Sequence, residues 1–347
     1  MPCPCNIMGV KMRIFKNIII TLFIAAVVWS FLPLVRFWLM KPASPEDNNR
    51  YNVELLKKNA DKGGYFSFIV FGDNHAGLIF NDAATLKEIW HMNREDRFRK
   101  VPIDLVLSVG DVTWDGAEWQ FKAYKKLQKL IKFPVIAAIG NHDDPELFKK
   151  YCGEKEFTFV NRNSFFIVLD NEEGQLVEEQ FVWLEEQLKK GREYDHIFIA
   201  LHKPPFDPYQ QEWYNMDNSQ WAYRFRKLCG EYNVDMVFSG HKHMFKSETF
   251  DGVENIVTGG GGMLIEIPEA DGGYLHYVRV HVNNDYVTYE VRRVSPPLWE
   301  VLTYYMWKEM MYWFRNLYGS GYIFGVNTKI EPLKEERVND REYWLWE

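Results

Sequence analysis

The chain contains 347 residues, 47% of them hydrophobic and 16% aromatic, and its formal net charge is −7. That length suffices for one large folded domain with appended segments, and the acidic balance argues against a nucleic-acid-binding protein, which would present a basic face. The cysteines are too few and too scattered for a disulfide framework; they are Cys3, Cys5, Cys152 and Cys229.

An uncharged apolar run from Ile18 to Val35 follows the first basic residues of the chain. Its 18 residues lie at the lower limit for a membrane-spanning helix, and the bulky residues after it do not resemble a signal-peptidase site. We therefore expect segment 1–40 to contain an uncleaved transmembrane anchor at about residues 18–35, with a cleaved signal peptide as the alternative. Because basic residues flank the run on both sides, the positive-inside rule only slightly favours a single-pass protein with its main part outside the cytoplasm.

The rest of the chain divides into three parts by composition. Residues 41–64 are polar, contain Pro42 and Pro45, and are predicted to be a linker. Residues 65–294 alternate apolar runs with polar motifs and are predicted to form the main domain. Residues 295–347 form an aromatic-rich extension, predicted either to lie on a bilayer as an amphipathic helix or to pack on the main domain or on a second subunit.

Five short polar motifs, each placed directly after a β-rich apolar run, are the most informative feature of the main domain. The apolar runs predict buried strands of an α/β sheet, and open α/β sheets build their sites at the carboxyl ends of such strands. Carboxylates, imidazoles and one amide delivered to one rim predict a metal site. In chain order the motifs are FGDNHAG (71–77), VGDVTWDG (109–116), IGNHDD (139–144), ALHKPP (200–205) and SGHKHMF (239–245).

The order of these motifs, D-x-H, G-D, G-N-H-D, H and G-H-x-H, resembles the calcineurin-like metallophosphoesterase superfamily over residues 66–291. The resemblance implies an α/β fold of the αββα type, in which helices flank a sandwich of two sheets. It also implies a hydrolase that cleaves a phosphomonoester or phosphodiester with a water or hydroxide bridging two metal ions. Such a metal pair acidifies the water and stabilises the in-line transition state.

The resemblance assigns metal ligands residue by residue. Asp111 corresponds to the carboxylate that bridges the two ions. The remaining ligands are Asp73, His75 and His243 for one ion and Asn141, His202 and His241 for the other. Mixed nitrogen and oxygen ligands suit Mn, Fe or Zn, as a divalent or mixed-valence pair, without choosing among them.

His142, which follows the ligand Asn141, resembles the family histidine that is not a metal ligand. That histidine stabilises the transition state or protonates the leaving oxygen, which is general acid–base chemistry. Asp73 and Asp144 are the acidic residues whose position in the sequence would allow them to orient the His142 ring.

Departures from particular branches of the superfamily narrow the predicted activity. The two arginines with which Ser/Thr phosphoprotein phosphatases grip phosphate are replaced by Asp115 and Ile139. The metal-bound tyrosine of purple acid phosphatases is replaced by Trp114. A general phosphodiesterase or phosphomonoesterase is therefore expected, with a lipid-borne substrate as one option. The alternative is an inactive scaffold that binds a partner at the membrane, although such proteins usually lose ligands and no ligand is missing in this sequence.

Between the motifs, amphipathic patterns predict helices over residues 82–96, 117–132, 177–190 and 219–231, and alternating residues predict a closing hairpin over 274–294. Two further segments have more than one interpretation. The four glycines at 259–262 either let the backbone approach a ligand or form a plain loop. The aromatic insert at 206–221 either lines a substrate pocket or packs against the rim of the domain. The sequence leaves the oligomeric state undetermined.

Overall fold

The computed structural model describes residues 35–60, 62–95, 101–208, 219–263, 265 and 267–295, together with residues 16, 17 and 21. All of the anchor predicted at 18–35 except residues 21 and 35, most of the insert at 206–221 and all but the first residue of the extension at 295–347 lie outside the described residues. Within the described part of the chain, no helix combines the length and the hydropathy that a membrane span requires.

The strands of the described residues form two mixed sheets. One sheet has the order β11-β10-β1-β2-β3 and the other has the order β4-β5-β6-β7-β9-β8, where the strands are β1 (Phe66–Phe71), β2 (Ile103–Ser108), β3 (Val135–Ala137), β4 (Phe157–Asn161), β5 (Ser164–Val168), β6 (His196–Ala200), β7 (Met236–Ser239), β8 (Phe245–Phe250), β9 (Val253–Thr258), β10 (His276–Val282) and β11 (Val287–Arg293). β1, β2 and β3 are parallel to one another, and so are β5, β6 and β7. Parallel neighbours bring their carboxyl ends to the same edge of each sheet.

One helix precedes β1 and the others occupy connections between strands, and the helices predicted from the sequence are present. They are α1 (Asn49–Leu56), α2 (Ile79–Met92), α3 (Glu118–Leu130), α4 (Pro145–Tyr151), α5 (Glu178–Gly191) and α6 (Ser219–Glu231). The predicted closing hairpin corresponds to β10 and β11, which pair antiparallel.

Three apolar clusters separate four layers. One cluster joins the first sheet to α2, α3 and α4, a second lies between the two sheets, and a third joins the second sheet to α5 and α6. Phe68 shows how the sheets are held together, since its ring centroid lies 5.1–5.8 Å from those of Phe166, Phe198 and Phe238 of the other sheet. Edge-to-face aromatic contacts of this kind add to the free energy gained by burial. The predicted two-sheet α/β architecture is confirmed.

The segment before β1 packs closely on the domain. Phe37, in the helical stretch at 35–39, is 1% exposed and belongs to the cluster between the first sheet and its helices. The side chain of Asn49 accepts from the Ala137 backbone N–H and donates to the Ala137 carbonyl, both at 2.8 Å. Asn49 thereby satisfies the edge of β3, as a neighbouring strand would. Segment 41–64 has the polar composition of a linker, but it contains α1 and some of its polar side chains form hydrogen bonds with the domain.

Candidate metal centre

The five motifs lie at the carboxyl ends of β1, β2, β3, β6 and β7, as the apolar runs predict. Because the two sheets pack face to face, loops from both meet at one edge. Asp111, which follows β2 in the first sheet, and His202, which follows β6 in the second, lie 3.2 Å apart between Oδ2 and Nε2. The site is therefore assembled from both halves of the sandwich.

Backbone conformation at this edge is unusual. Asp73, His75, Asp111 and His241 have positive φ angles of 60°, 44°, 50° and 67°, in the left-handed region that residues other than glycine rarely adopt. Such conformations cost free energy and persist where the surrounding structure enforces them, most often at functional sites. The strain lets side chains that are close in the sequence converge on one point.

Glycines next to the acidic residues permit close approach. A Cβ atom on Gly140 would lie 2.2 Å from Oδ1 of Asp111, and one on Gly240 would lie 2.3 Å from Oδ2 of Asp73. Any side chain at these positions would displace the carboxylates, so both motif glycines have a steric role in the site.

The structure brings together all seven predicted ligands and His142. Ligand atoms lie within 4.8 Å of one another in three overlapping groups: Asp73 with His75 and His243, His75 with Asp111 and His142, and Asp111 with His202 and His241. Asn141 joins them through its Oδ1, which is 3.1 Å from Nε2 of His202. Asp111 lies between the two predicted triads, 3.4 Å from His75 and 3.2 Å from His202.

The electrostatics of the group fit a cation. Burial lowers the pKa of His75 well below its usual value, that of His243 to about 4 and that of His241 to about 2. These rings are therefore neutral and have a lone pair to offer. Both ring nitrogens of His75 are buried and have no hydrogen-bond partner among the described residues. Burial also raises the pKa of Asp73, which indicates that its charge lacks a compensating cation from the protein alone.

His202 has a fixed orientation. Its Nδ1 donates a hydrogen bond to the Val109 carbonyl at 2.8 Å, so that Nε2 is directed at Asp111 and Asn141. Burial opposes a charge on His202, but the Asp111 carboxylate raises the pKa of His202 to about 9. A histidine that donates one ring N–H to a backbone carbonyl, and so leaves its other nitrogen directed into the site, has the usual arrangement of a metal ligand.

His142 is exposed and lies at the edge of the ligand group. Its ring centroid is 4.7 Å from that of His75, and its Nδ1 donates a hydrogen bond to the Trp114 carbonyl at 2.7 Å. The expectation that Asp73 or Asp144 orients His142 is therefore wrong. Asp144 instead caps α4 through the backbone N–H of Leu147, while Asp73 accepts from the backbone N–H of His241.

Asp143 supports the site without being one of the predicted ligands. Its buried carboxylate accepts from the backbone N–H groups of Val112, Thr113 and Gly140 and from the Thr113 hydroxyl. It thereby ties the second motif to the third, on either side of Asp111. The position of Asp143 next to His142 in the third motif indicates that it lies near the site, but the sequence alone does not distinguish a supporting residue from a metal ligand.

Asn171 is a second support, and no motif pointed to it. Its Oδ1 accepts from the backbone N–H groups of His202 and Lys203, and its Nδ2 donates to the Lys203 carbonyl. This clamp fixes the loop that presents His202. The one signal in the sequence was the position of Asn171 just after a β-rich run.

The four glycines at 259–262 pack against the first motif. The backbone N–H of Gly261 donates to the Gly72 carbonyl at 2.9 Å, and its carbonyl accepts from the side chains of Asn74 and Thr85. A Cβ atom on Gly261 would lie 2.2 Å from the Gly72 carbonyl oxygen. The glycines therefore allow two backbone segments to touch, which positions the loop that presents Asp73.

Asp82 anchors the same loop from the first turn of α2. Its Oδ1 accepts from the Gly77 backbone N–H at 3.0 Å, whereas Oδ2 is buried without a hydrogen-bond partner among the described residues. Burial raises the pKa of Asp82 to about 7. In the unfolded chain the same carboxyl ionises at a pH near 4. The burial of Asp82 therefore lowers the free energy of unfolding as the pH rises from about 4 to about 7, and this destabilisation has its full size above pH 7.

We expect Asp82→Asn to remove this penalty and to raise the free energy of unfolding above pH 7, by up to roughly 4 kcal/mol. The asparagine oxygen still accepts from Gly77. Urea unfolding at about pH 5 and about pH 8 checks the expectation, with the difference from wild type growing towards the higher pH. Asp285→Asn, an exposed change in the β10–β11 turn, serves as the control. Equal stabilisation at both pH values would contradict the assignment.

Comparisons with known proteins agree with this geometry. Residues 66–245 match the family described as calcineurin-like phosphoesterase. The chain is 29% identical over 183 residues to a probable glycerophosphodiester phosphodiesterase, GpdQ, of Arcobacter nitrofigilis, covering 48% of this chain and 66% of that protein. It is 30% identical over 111 residues to a probable cyclic nucleotide phosphodiesterase of Synechococcus, covering 29% of this chain and 43% of that protein. The human Ser/Thr-protein phosphatase CPPED1 is 24% identical over 172 residues, covering 41% of this chain and 54% of that protein. The chain thus spans less than two thirds of each relative.

Solved structures share the fold. A purple acid phosphatase from yellow lupin superposes with a TM-score of 0.51 at 15% identity, covering 67% of this chain and 52% of that one. GAP50, the anchor in the inner membrane complex of Plasmodium, superposes with a TM-score of 0.51 at 14% identity, covering 67% and 90%. The family match, which spans more than half of the chain, and the candidate ligand groups support the use of divalent metal ions. The chain belongs to the calcineurin-like phosphoesterase family.

Proposed function

We propose that the chain is a phosphodiesterase whose site holds two transition-metal ions, Mn, Fe or Zn, at the edge where the loops of the two sheets meet. The observation that carries the proposal is the position of Asp111. It lies within 3.4 Å of His75 and 3.2 Å of His202, which belong to different ligand triads. A carboxylate shared by two triads is what a bridging ligand requires. One triad comprises Asp73, His75 and His243, and the other comprises Asn141, His202 and His241.

When bound, the metal pair supplies an activated water and positive charge for the phosphoryl oxygens. The residues of the chain supply orientation and proton transfer. Oδ1 of Asn141 and Nε2 of His202 lie 3.1 Å apart beside Asp111, so each side chain helps to orient the other. His142 is engaged through Nδ1 by the Trp114 carbonyl, so its Nε2 is the atom that would give a proton to the leaving oxygen.

A diester is favoured over a monoester by the charge around the site. A monoester dianion needs strong cationic groups in addition to the metals, and the two positions at which related phosphatases carry arginine hold Asp115 and Ile139. A diester has one negative charge and tolerates their absence. Two of the relatives described above are named as probable phosphodiesterases, which supports the same choice. We further propose that the protein is held in a membrane by residues 18–35.

A metal-reconstituted hydrolysis screen tests the proposal. The full chain, stripped of metal in detergent, is supplied with Mn, Fe or Zn and assayed on bis(p-nitrophenyl) phosphate and p-nitrophenyl phosphate. We expect metal-dependent hydrolysis with the diester preferred, and none in the metal-free protein. Hydrolysis of the monoester alone would overturn the diester assignment, and no hydrolysis with any metal would overturn the enzyme proposal.

A further inference from the structure

We propose that the outer face of α3 rests on a lipid bilayer that carries anionic headgroups. This surface, the α3 face, consists of Trp119, Lys122, Lys126 and Lys129 together with the exposed residues of segment 35–39. It lies on the outer side of the first sheet, away from α5 and α6, which cover the other sheet.

Three of the four lysines of α3 form one stripe, while the fourth, Lys125, is buried. Trp119, Lys122, Lys126 and Lys129 follow one another at intervals of three, four and three residues, which places them on one side of a helix. The opposite side of α3 is buried in the apolar cluster of the first sheet through Phe121, Tyr124 and Leu127. Glu118 pairs with Lys122, and Lys126 and Lys129 leave the stripe with a net positive charge in a chain whose net charge is −7. An anionic lipid surface attracts such lysines.

Large apolar side chains accompany the stripe. Trp119 is 50% exposed, Val35 51%, Trp38 39% and Leu39 79%, and Trp90 on the neighbouring helix α2 is 52% exposed. Tryptophan next to lysine is characteristic of the membrane–water interface, where the ring enters the headgroup layer and the ammonium stays in water. An exposed set of this composition fits a bilayer better than it fits bulk water.

Segment 35–39 is fixed to the stripe. Nζ of Lys126 donates to the Trp38 carbonyl at 2.8 Å and lies 5.7 Å and 5.4 Å from the ring centroids of Phe37 and Trp38. Phe37 itself is buried in the domain. The exposed residues Val35, Trp38 and Leu39 therefore hold a set position on the domain.

The sequence before this segment identifies the occupant. The uncharged run that begins at Ile18 ends at Val35, the first residue of the fixed segment. A run of that length and composition has its lowest free energy in a bilayer. Because the chain emerges from the run directly onto the α3 face, the same bilayer would meet the stripe, and a soluble partner would not be directed there.

The α3 face also reaches the candidate metal centre. α3 begins directly after the second motif, and a Cβ atom on Gly77, two residues after His75, would lie 2.9 Å from the Trp119 ring. Bilayer contact along α3 would therefore bring the site to the lipid surface. If the proposed function holds, the substrate of the enzyme is therefore a phosphodiester carried by a lipid.

Site-specific labelling of the full chain in vesicles tests the bilayer contact without using activity. Cys3 and Cys5 are replaced by serine, while Cys152 and Cys229 are buried. A fluorophore is attached at Lys122→Cys or, as the control, at Lys189→Cys. The two lysines are matched, since each is exposed and pairs with a glutamate one helical turn earlier, Glu118 and Glu185.

We expect lipids with a spin label in the headgroup to quench the fluorophore at position 122 severalfold more strongly than the one at 189, and more so when phosphatidylserine is present. Adding Lys122→Glu to a protein labelled at Lys129→Cys should weaken that lipid dependence, because each lysine at an anionic surface contributes a factor of about five. Adding Lys189→Glu should not.

Equal quenching at positions 122 and 189 would overturn the proposal. Restricted motion of the label at 122 without quenching by lipid would place a protein or a second copy on the α3 face, and would overturn it as well. Quenching is also expected in a protein carrying Asp111→Asn, so a failure of the catalytic proposal is distinguished from a failure of this one. Selective hydrolysis of soluble over vesicle-borne diesters by the wild type would overturn the assignment of a lipid substrate alone.

Discussion

Replacing Asp111 by asparagine is expected to remove most of the bound metal and to lower phosphodiester hydrolysis by on the order of 10⁴-fold, because the metal ions supply several kcal/mol of transition-state stabilisation. Asp111 is the residue through which both ligand triads would share a charge, because in the part of the chain that the structure describes it is the carboxylate that lies close to both His75 and His202. Asparagine has nearly the same shape but brings no charge.

The fold should survive this substitution. Oδ1 of Asp111 accepts from the backbone N–H of His142 at 2.9 Å, and the asparagine oxygen can do the same. Alanine would leave that N–H without its partner, so the asparagine variant separates the loss of charge from the loss of a hydrogen bond. Elemental analysis and kcat/KM, measured beside Asp285→Asn as a control, check the expectation. Two metal ions per chain in the variant would contradict the bridging role of Asp111.

The convergence of the predicted ligands on one edge of the sheets could be anticipated because its signals are local. Each ligand follows an apolar run by a few residues, and parallel strands deliver such residues to a common edge. Asp73 and His75 are two residues apart, as are His241 and His243. What the sequence could not reveal is the positive φ at four of the site residues, which decides where those side chains point.

The supports of the site were harder to predict because they act through the backbone. The Trp114 carbonyl that holds His142 belongs to no particular residue type, so no sequence pattern marks it. Asn171 and Gly261 reach the site from other parts of the chain, and their contacts depend on how the two sheets pack.

At the beginning of the domain, too, the sequence could not reveal contacts that depend on the tertiary structure. Residues 41–64 have the polar composition of a linker, yet Asn49 pairs with the edge of β3. Phe37 precedes that segment and is buried in the domain. Composition reports the average exposure of a segment, whereas a single buried phenylalanine or a paired asparagine is decided by tertiary contacts. The α3 face could not be anticipated either, since it combines two segments that are far apart in the sequence.

Replacing His142 by alanine is expected to leave the metal content unchanged and to lower turnover by about 10²–10⁴-fold, the usual contribution of a general acid or base. His142 is exposed at the edge of the ligand group, and its Nδ1 is occupied by the Trp114 carbonyl. Its remaining nitrogen would be available to the leaving oxygen, since both predicted ligand triads are complete without His142.

The dependence on the leaving group makes this prediction specific. An alkoxide leaving group needs a proton in the transition state, whereas p-nitrophenolate leaves nearly as well without one. His142→Ala should therefore impair alkyl diesters far more than nitrophenyl diesters, while a purely structural loss would impair both alike. Asp144→Asn is the matched control, because it keeps the cap on Leu147 and removes a carboxylate that does not contact His142. A uniform loss on both substrates, or a loss of metal, would assign His142 a supporting role, since a proton donor acts on the bond that breaks and leaves the metal ligands as they are.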